Sequence, residues 1–530
     1  MSRGPGEVVV GVDVGTTATK VVGFGLGDPW RYTAVREYPL ERPHPGWHVQ
    51  DPLRVRGAVE HALAECVAAA PLGTRVVGLS LSTAMHGLVG LDADLDALTP
   101  VLTWADGRSA AQARELRDGA LAAAVHRRTG TPVHPMTPLT KLMWLARHDP
   151  GLAARARWWA GLKDWAVAGL TGRLVTELSS ASGTAMLDVR ERAWDPLAVD
   201  LAGIRVDQLP EVVATTTVLP LAPDVAARVG LPAGTPVVVG AGDGPLATLG
   251  VGATAPGVVG LSVGTSGAVR TLAPGPTTDP DGRLFCYALT DDTWVVGGAV
   301  SNGGSVLRWV RDLVLPDAGP GPGERDAELL RLAEDVPVGS DGLVLLPYLL
   351  PERAPLWDPD VPGALLGLRA GHTRGHVVRA AVEGVALQLA AVVDALAGIA
   401  PVHAVRATGG VFRAPLWRHV VAAALGRPLT MSGGVEGTAT GAAALGLHAL
   451  GRASDPLTGL GLLAPPGACA HGTSEPVDPA DVATYAGLRA ALPALVATFA
   501  TAADALTPSV TTGTGNTWQP VATAPVGLRE

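Results

Sequence analysis

Three lysines stand against 37 arginines in this 530-residue chain, and cysteine is equally scarce. Cys66, Cys286 and Cys469 are far apart, odd in number and form no CxxC pair, so neither a disulfide framework nor a cysteine zinc site is indicated. No GxxxxGK followed by Ser or Thr occurs, which excludes a P-loop protein. Positive charge is also lacking overall. A net charge of −9 and a pI near 5.8 give no general attraction to nucleic acid or anionic membranes. A bound nucleotide would have to be held by local backbone amides and a few chosen cations. The N-terminus, Met1 to Glu7, lacks the apolar core of a signal peptide. The most apolar later stretch, Gly384 to Pro401, contains Gln388 and Asp394 and looks too short to span a membrane comfortably. The expectation is a soluble, cytoplasmic protein. In a chain so biased towards arginine, Lys20, Lys141 and Lys163 each raise the question of why a compact ammonium is needed where a forked guanidinium would not serve.

Apolar residues make up 47% and charged residues 17%, ample for large cores. The length exceeds what one core supports, about 250–300 residues, so two domains are expected. Residues 8–26 read as a strand, a tight Gly15-Thr16-Thr17 turn and a second strand. Val10-Gly11-Val12-Asp13-Val14-Gly15-Thr16 aligns without a gap with Val259-Gly260-Leu261-Ser262-Val263-Gly264-Thr265, at an offset of 249 residues. That spacing suggests a duplicated domain whose copies each present a glycine-threonine turn. The expected organisation is 1–252 and 253–455 for the two domains, 456–506 for a helical extension and 507–530 for a disordered tail.

Further elements follow from periodicity. A helix begins near Gly303, a mobile Pro/Gly loop covers Pro316–Gly323, another helix runs from about His376 to Ala397, and a strand at Ala404–Thr408 leads into Gly409-Gly410. A last helix covers about Ala480–Leu506. Strands alternating with helices in both halves make this an α/β protein.

Phosphate binding needs backbone amides at close approach, which glycine permits. Gly15-Thr16-Thr17 and Gly264-Thr265-Ser266 supply that geometry. Asp13 is suited to a magnesium ion, usually through its waters, and Lys20 to a phosphate. Either turn alone reads equally well as an ordinary hairpin; the matched pair, one copy carrying an acid, favours function. Asp243, on a glycine-flanked turn just past the apolar run Val237–Gly240, is the candidate base for phosphoryl transfer to an alcohol. Gly260-Leu261-Ser262-Val263-Gly264 fits the GxSxG elbow of esterases, but that elbow must open a helix, whereas the following residues read as a turn into another strand. Gly240-Ala241-Gly242-Asp243-Gly244 lacks the third glycine of a dinucleotide fingerprint, with Pro245 in its place. His372 and His376 read as surface or helix-start residues rather than a metal pair.

With these motifs on the page, the sequence resembles the FGGY carbohydrate kinases from Val8 to about Leu450. Met136-Thr137-Pro138-Leu139-Thr140-Lys141-Leu142-Met143-Trp144-Leu145-Ala146-Arg147-His148 is similar to the first family signature. Gly363–Leu368 followed by His376–Glu383 is similar to the second. The resemblance implies two actin-like (ribonuclease H-like) α/β domains around a catalytic cleft. It implies that Asp13 and its turn hold Mg-ATP phosphates together with Gly264-Thr265-Ser266, that Gly409-Gly410 lies near the adenosine, and that Asn302-Gly303-Gly304 is on the nucleotide side. It makes Asp243 the base, also near the metal, and assigns Met85-His86-Gly87 and Trp104, Asp106 and Arg108 to the sugar. Several segments, among them Arg128–Met136, Phe285–Leu289 and Glu352–Trp357, look most like the gluconokinase branch. A gluconate carboxylate would call for a cation, with Arg108, Arg353 and Lys141 as candidates. A xylulokinase or other pentulose kinase is the runner-up, since Gly87 stands where gluconokinases often have Ser. A non-catalytic actin-fold ATP-binding protein is the rival of a different class. The implied partners are a sugar acid or sugar, ATP and Mg²⁺, with no nucleic acid and no membrane; a homodimer is compatible with the sequence.

Overall fold

In the computed structural model, residues 6–315, 322–432, 437–463 and 474–506 are described. The valine-rich start forms β1 (Glu7–Val14), which turns through Gly15-Thr16-Thr17 into antiparallel β2 (Ala18–Leu26), with β3 (Arg31–Glu37) antiparallel to β2. Strand β4 (Arg75–Thr83) runs parallel to β1. After a long excursion the chain adds β5 (Val218–Pro220), antiparallel to β6 (Pro236–Gly242), and β6 is parallel to β4. The sheet order is β5-β6-β4-β1-β2-β3. Buried residues along both faces of β1 and β4 explain their continuous apolar runs. Helix α1 (Pro52–Ala68) covers β2 and β3, and the excursion between β4 and β5 carries α2 (Pro138–His148) and α3 (Leu162–Thr171). Helix α4 (Asp243–Gly250) starts directly at the end of β6.

The second half repeats the plan. Strands β7 (Val258–Val263) and β8 (Gly267–Ala273) form the matching hairpin, β9 (Phe285–Ala288) pairs with β10 (Trp294–Val300), and β10 pairs with β8, all antiparallel. Strand β11 (Ala404–Thr408) is parallel to β7, β12 (Leu429–Met431) is parallel to β11, and β13 (Ser474–Glu475) is antiparallel to β12. The order β9-β10-β8-β7-β11-β12-β13 reproduces the first sheet strand for strand, with β9 added at one edge. Helices α5 (Gly304–Val314) and α6 (Arg374–Ala397) pack on this half, while α7 (Gly437–Ala449) crosses over to lie against α4, β1 and β4 of the first. Glycines allow that crossing: a Cβ on Gly11 would fall 2.3 Å from the Ala439 carbonyl oxygen, and one on Gly441 would fall 2.0 Å from that of Leu246. Helix α8 (Pro479–Leu506) closes the described chain.

Three expectations need correction or placement. Asp243 is the first residue of a helix, not part of a turn: Gly244 and Pro245 look like turn residues, yet the first helical turn needs no donor from proline. Gly384–Pro401 belongs largely to the 24-residue α6, long and apolar enough to cross a membrane; its apolar window is 83% buried inside the protein. Of the Pro/Gly loop, residues 316–321 lie outside the described residues and Pro322 opens a helix to Arg331; the tail 507–530 and Cys469 also lie outside. The GxSxG segment runs into strand β8, as its sequence indicated.

Candidate active site

The two hairpin turns face a cleft with two cavities. The first, about 290 Å³, is lined by Thr16, Met85, His86, Trp104, Asp243 and Ser266, with Arg270, Tyr287, Arg353 and Trp357 also in its wall. The second, about 570 Å³, is lined by Thr248, Gly260, Thr408, Gly409, Gly410 and Phe412, with Met431 and Thr438. Ser262 and Arg270 belong to both.

The first turn is braced from behind. Gln50 Nε2 donates to the carbonyls of Gly15 and Thr16 at 3.2 and 2.8 Å, and the Tyr38 hydroxyl donates to the Gly15 carbonyl at 2.7 Å. Thr16 Oγ1 accepts from Trp104 Nε1 at 2.9 Å, so turn and cavity wall are fixed together. Asp13, at the end of β1 and paired in register with Lys20 on β2, accepts from Ser82 Oγ at 3.0 Å. Burial, and secondarily the charge of Asp243, push the Asp13 carboxyl up to about 7. A carboxylate strained in this way by a second carboxylate is the environment a divalent cation relieves.

Asp243 sits at the N-terminus of α4, where Oδ1 accepts from the Gly244 amide at 2.7 Å. Burial raises its pKa, and Arg270 is the largest opposing influence. Lys163 stands beneath it: the ammonium donates to the carbonyls of Ala241, Val239 and Leu81 and pairs with Glu177. Lys141 is similarly enclosed, donating to the carbonyls of His86, Thr103, Met136 and Leu102. These cages answer the question for Lys141 and Lys163, since three or four converging carbonyls suit a compact ammonium better than a planar fork.

His86 adopts a positive φ of 66° and its Nδ1 lies 2.7 Å from the Gly183 carbonyl. The proton must therefore sit on Nδ1, leaving Nε2 as an acceptor, and burial pulls the ring pKa down to about 3. The ring packs edge-to-face with Tyr287, whose buried hydroxyl has no partner among the described residues. Gly87 turns the other way: a Cβ there would press on Leu162 of α3 at 3.2 Å. Asp106 and Arg108 likewise stay out of the cavity wall. They fork together at 2.8 Å, Asp106 also accepts the His48 amide, and Arg108 stacks 3.5 Å over Trp47. Of the three candidate carboxylate partners, Arg353 alone lines the cavity; it lies 4.8 Å over the Trp104 ring and donates to Ser301 Oγ and the Val300 carbonyl.

Of the turn residues, Thr17, Gly264 and Thr265 are exposed and line neither cavity. Asn302 is spent internally, with Nδ2 on the Leu350 carbonyl and Glu352 and Oδ1 on the Leu350 amide. Gly303 and Gly304 instead brace the second turn, their amides donating to the carbonyls of Thr265 and Gly264 at 3.2 and 2.8 Å. Gly409 holds φ +124°, and a Cβ would lie 2.0 Å from the Val263 carbonyl oxygen, so only glycine lets β11 pass the hairpin. Sequence reasoning missed Arg270, Gln50, Tyr38 and Tyr287. Arg270 carried one signal: a charge within an otherwise apolar strand, where the first hairpin has Val21.

Two family models match in tandem: the N-terminal domain of the FGGY family of carbohydrate kinases over residues 8–250, and its C-terminal domain over 259–450. The gluconokinase of Bacillus subtilis (strain 168) is 39% identical over 455 residues, covering 84% of this chain and 88% of that protein. The xylulose kinase of Escherichia coli (strain K12) is 30% identical, covering 82% and 89%. The crystal structure of gluconate kinase from Lactobacillus acidophilus superposes with a TM-score of 0.88 at 31% identity, covering 95% of this chain and all of that one.

Proposed function

The chain belongs to the FGGY family of carbohydrate kinases, and from that premise we propose that it transfers the γ-phosphoryl group of ATP to gluconate, giving 6-phosphogluconate. The observation that carries the choice of substrate is Arg353, a guanidinium that lines the same cavity as the Asp243 carboxylate. An acid at one place and a cation at another suit a sugar acid that must be deprotonated at a hydroxyl and held by its carboxylate.

Asp243 accepts the proton as the substrate oxygen bonds to the γ-phosphorus and the bond from that phosphorus to the β–γ bridging oxygen breaks, releasing ADP. His86, through Nε2, and the Tyr287 hydroxyl orient the other hydroxyls, with Met85 and Trp104 as apolar walls. The turn Gly15-Thr16-Thr17, Lys20 and the turn Gly264-Thr265-Ser266 hold the phosphates, and Gly409-Gly410 forms the floor under the adenosine. Gly303 and Gly304 act on the nucleotide only by bracing the second turn, and Asn302 only by tying down Leu350 and Glu352. Magnesium, held by Asp13 and Asp243 through water, would supply charge neutralisation on the phosphates. The working compartment is the cytoplasm, and the boundary between the halves falls near residue 252.

The test is ADP release with Mg-ATP and, separately, gluconate, xylulose, ribulose, glycerol and no sugar. Stimulation by gluconate alone is the expected result; stimulation by a ketopentose would move the chain to the pentulose kinases, and silence with ATP bound would favour a non-catalytic ATP-binding protein.

A further inference from the structure

Arg270 stands where the two cavities meet. It lies on β8, three residues after the hairpin's closing Gly267, and lines the sugar-side cavity beside Asp243 as well as the larger cavity floored by Gly409-Gly410. The other arginines nearby are spoken for: Arg108 is forked onto Asp106, and Arg353 spends Nε and one terminal nitrogen on Ser301 and the Val300 carbonyl. Arg270 Nε is buried with no hydrogen-bond partner among the described residues. The groups that bear on it are Asp243 and Tyr287, which favour its charge, and Arg353, which senses it from across the cavity. Gly244 makes the room: a Cβ at that position would come 3.3 Å from Arg270 Nε and 3.4 Å from a terminal nitrogen. A guanidinium whose Nε is withdrawn from water without an acceptor is costly unless a ligand completes it.

We propose that Arg270 contacts the γ-phosphoryl group while it is being transferred, its planar donors meeting the equatorial and β–γ bridging oxygens on which charge accumulates. This rests on the kinase reading above and adds a residue to it. As the substrate oxygen bonds to phosphorus, its proton passes to Asp243 and the electron pair of the breaking bond leaves with ADP; Arg270 gains and loses no atom. Its contribution is electrostatic, fixed in place before the reaction begins.

The experiment compares wild type with Arg270→Gln and Arg270→Lys in two measurements: steady-state kinetics with gluconate and ATP, and calorimetric titration with MgADP with and without aluminium fluoride, which mimics the phosphoryl group in flight. The expected result is a kcat lower by about 10²–10³-fold with the KM of each substrate little changed. MgADP alone should bind as before, while the added affinity given by aluminium fluoride disappears. A gluconate KM that rises tenfold with kcat and the fluoride increment intact would overturn the proposal and make Arg270 a ligand of the substrate carboxylate. Unchanged kinetics would overturn it as well. Should Arg270→Gln not fold, Arg270→Lys keeps the charge and loses the fork, and its fluoride increment decides. A wild type that phosphorylates no sugar sinks the kinase reading separately, since the fluoride increment still reads Arg270.

Discussion

At the 249-residue offset, Asp13 of the first hairpin corresponds to Ser262 of the second, Lys20 to Val269, and Val21 to Arg270. The six strands β3-β2-β1-β4-β6-β5 have counterparts in β10-β8-β7-β11-β12-β13, with the same parallel and antiparallel pairings. The skeletons agree and the charges do not. The first half places the Asp243 carboxylate in the cavity wall, with Asp13 close enough to feel its charge; the second places an arginine and a glycine floor there. A glycine-threonine turn is common to both halves, and the residues around it set the charge that each half brings to the cavities.

The sharpest way to break this division is Asp243→Asn. Turnover should fall by at least about 10²-fold while ATP still binds by calorimetry; near-normal turnover would move the base out of the first half. Asp13→Asn should raise the magnesium concentration needed for half-maximal rate by roughly 10–100-fold, and an unchanged magnesium titration would leave the first turn with no more chemistry than the second. Gly409→Ala tests the other half. The strain at φ +124° and the contact with Val263 should weaken ATP binding about tenfold or more, with the gluconate KM held; an effect on gluconate alone would erase the distinction between the cavities. The smallest effect is expected where the halves touch at the surface. Arg114 pairs with Asp360 across them at 2.8 Å, both side chains being well exposed. Arg114→Ala should therefore change unfolding stability by no more than about 1 kcal/mol and leave the kinetics alone. A larger loss would mean that surface pairs, rather than buried helices, hold the halves together.

The duplicated hairpin was legible because a tight turn restricts its residues and valine runs advertise buried strands. Asp243 was singled out in the sequence and lines the cavity, but its place as a helix start was not legible, since the glycine and proline after it serve turns and first helical turns alike. The crossing of α7 left no trace a periodicity could reveal. That helix, rich in Ala and Gly, is buried nearly all round between α4 and the first sheet, so it has no polar face to set a phase. Gln50 and Tyr38 act through a turn 35 and 23 residues away, and no local pattern marks such pairs; Arg270 showed only as a charge in an apolar strand, with nothing local to tie it to Asp243. Gly87, Asp106 and Arg108 matched motifs yet point to packing and to each other, because a motif records which residues occur and not which way they face.

The two caged lysines have a practical corollary for reagents. Lys141 and Lys163 are 0% and 1% exposed, whereas Lys20 is partly open beside the Gly15-Thr16-Thr17 turn. An amine-directed acylating dye should therefore find one side chain in the folded protein besides the terminal amine, and a nucleotide seated on the turn should shield it.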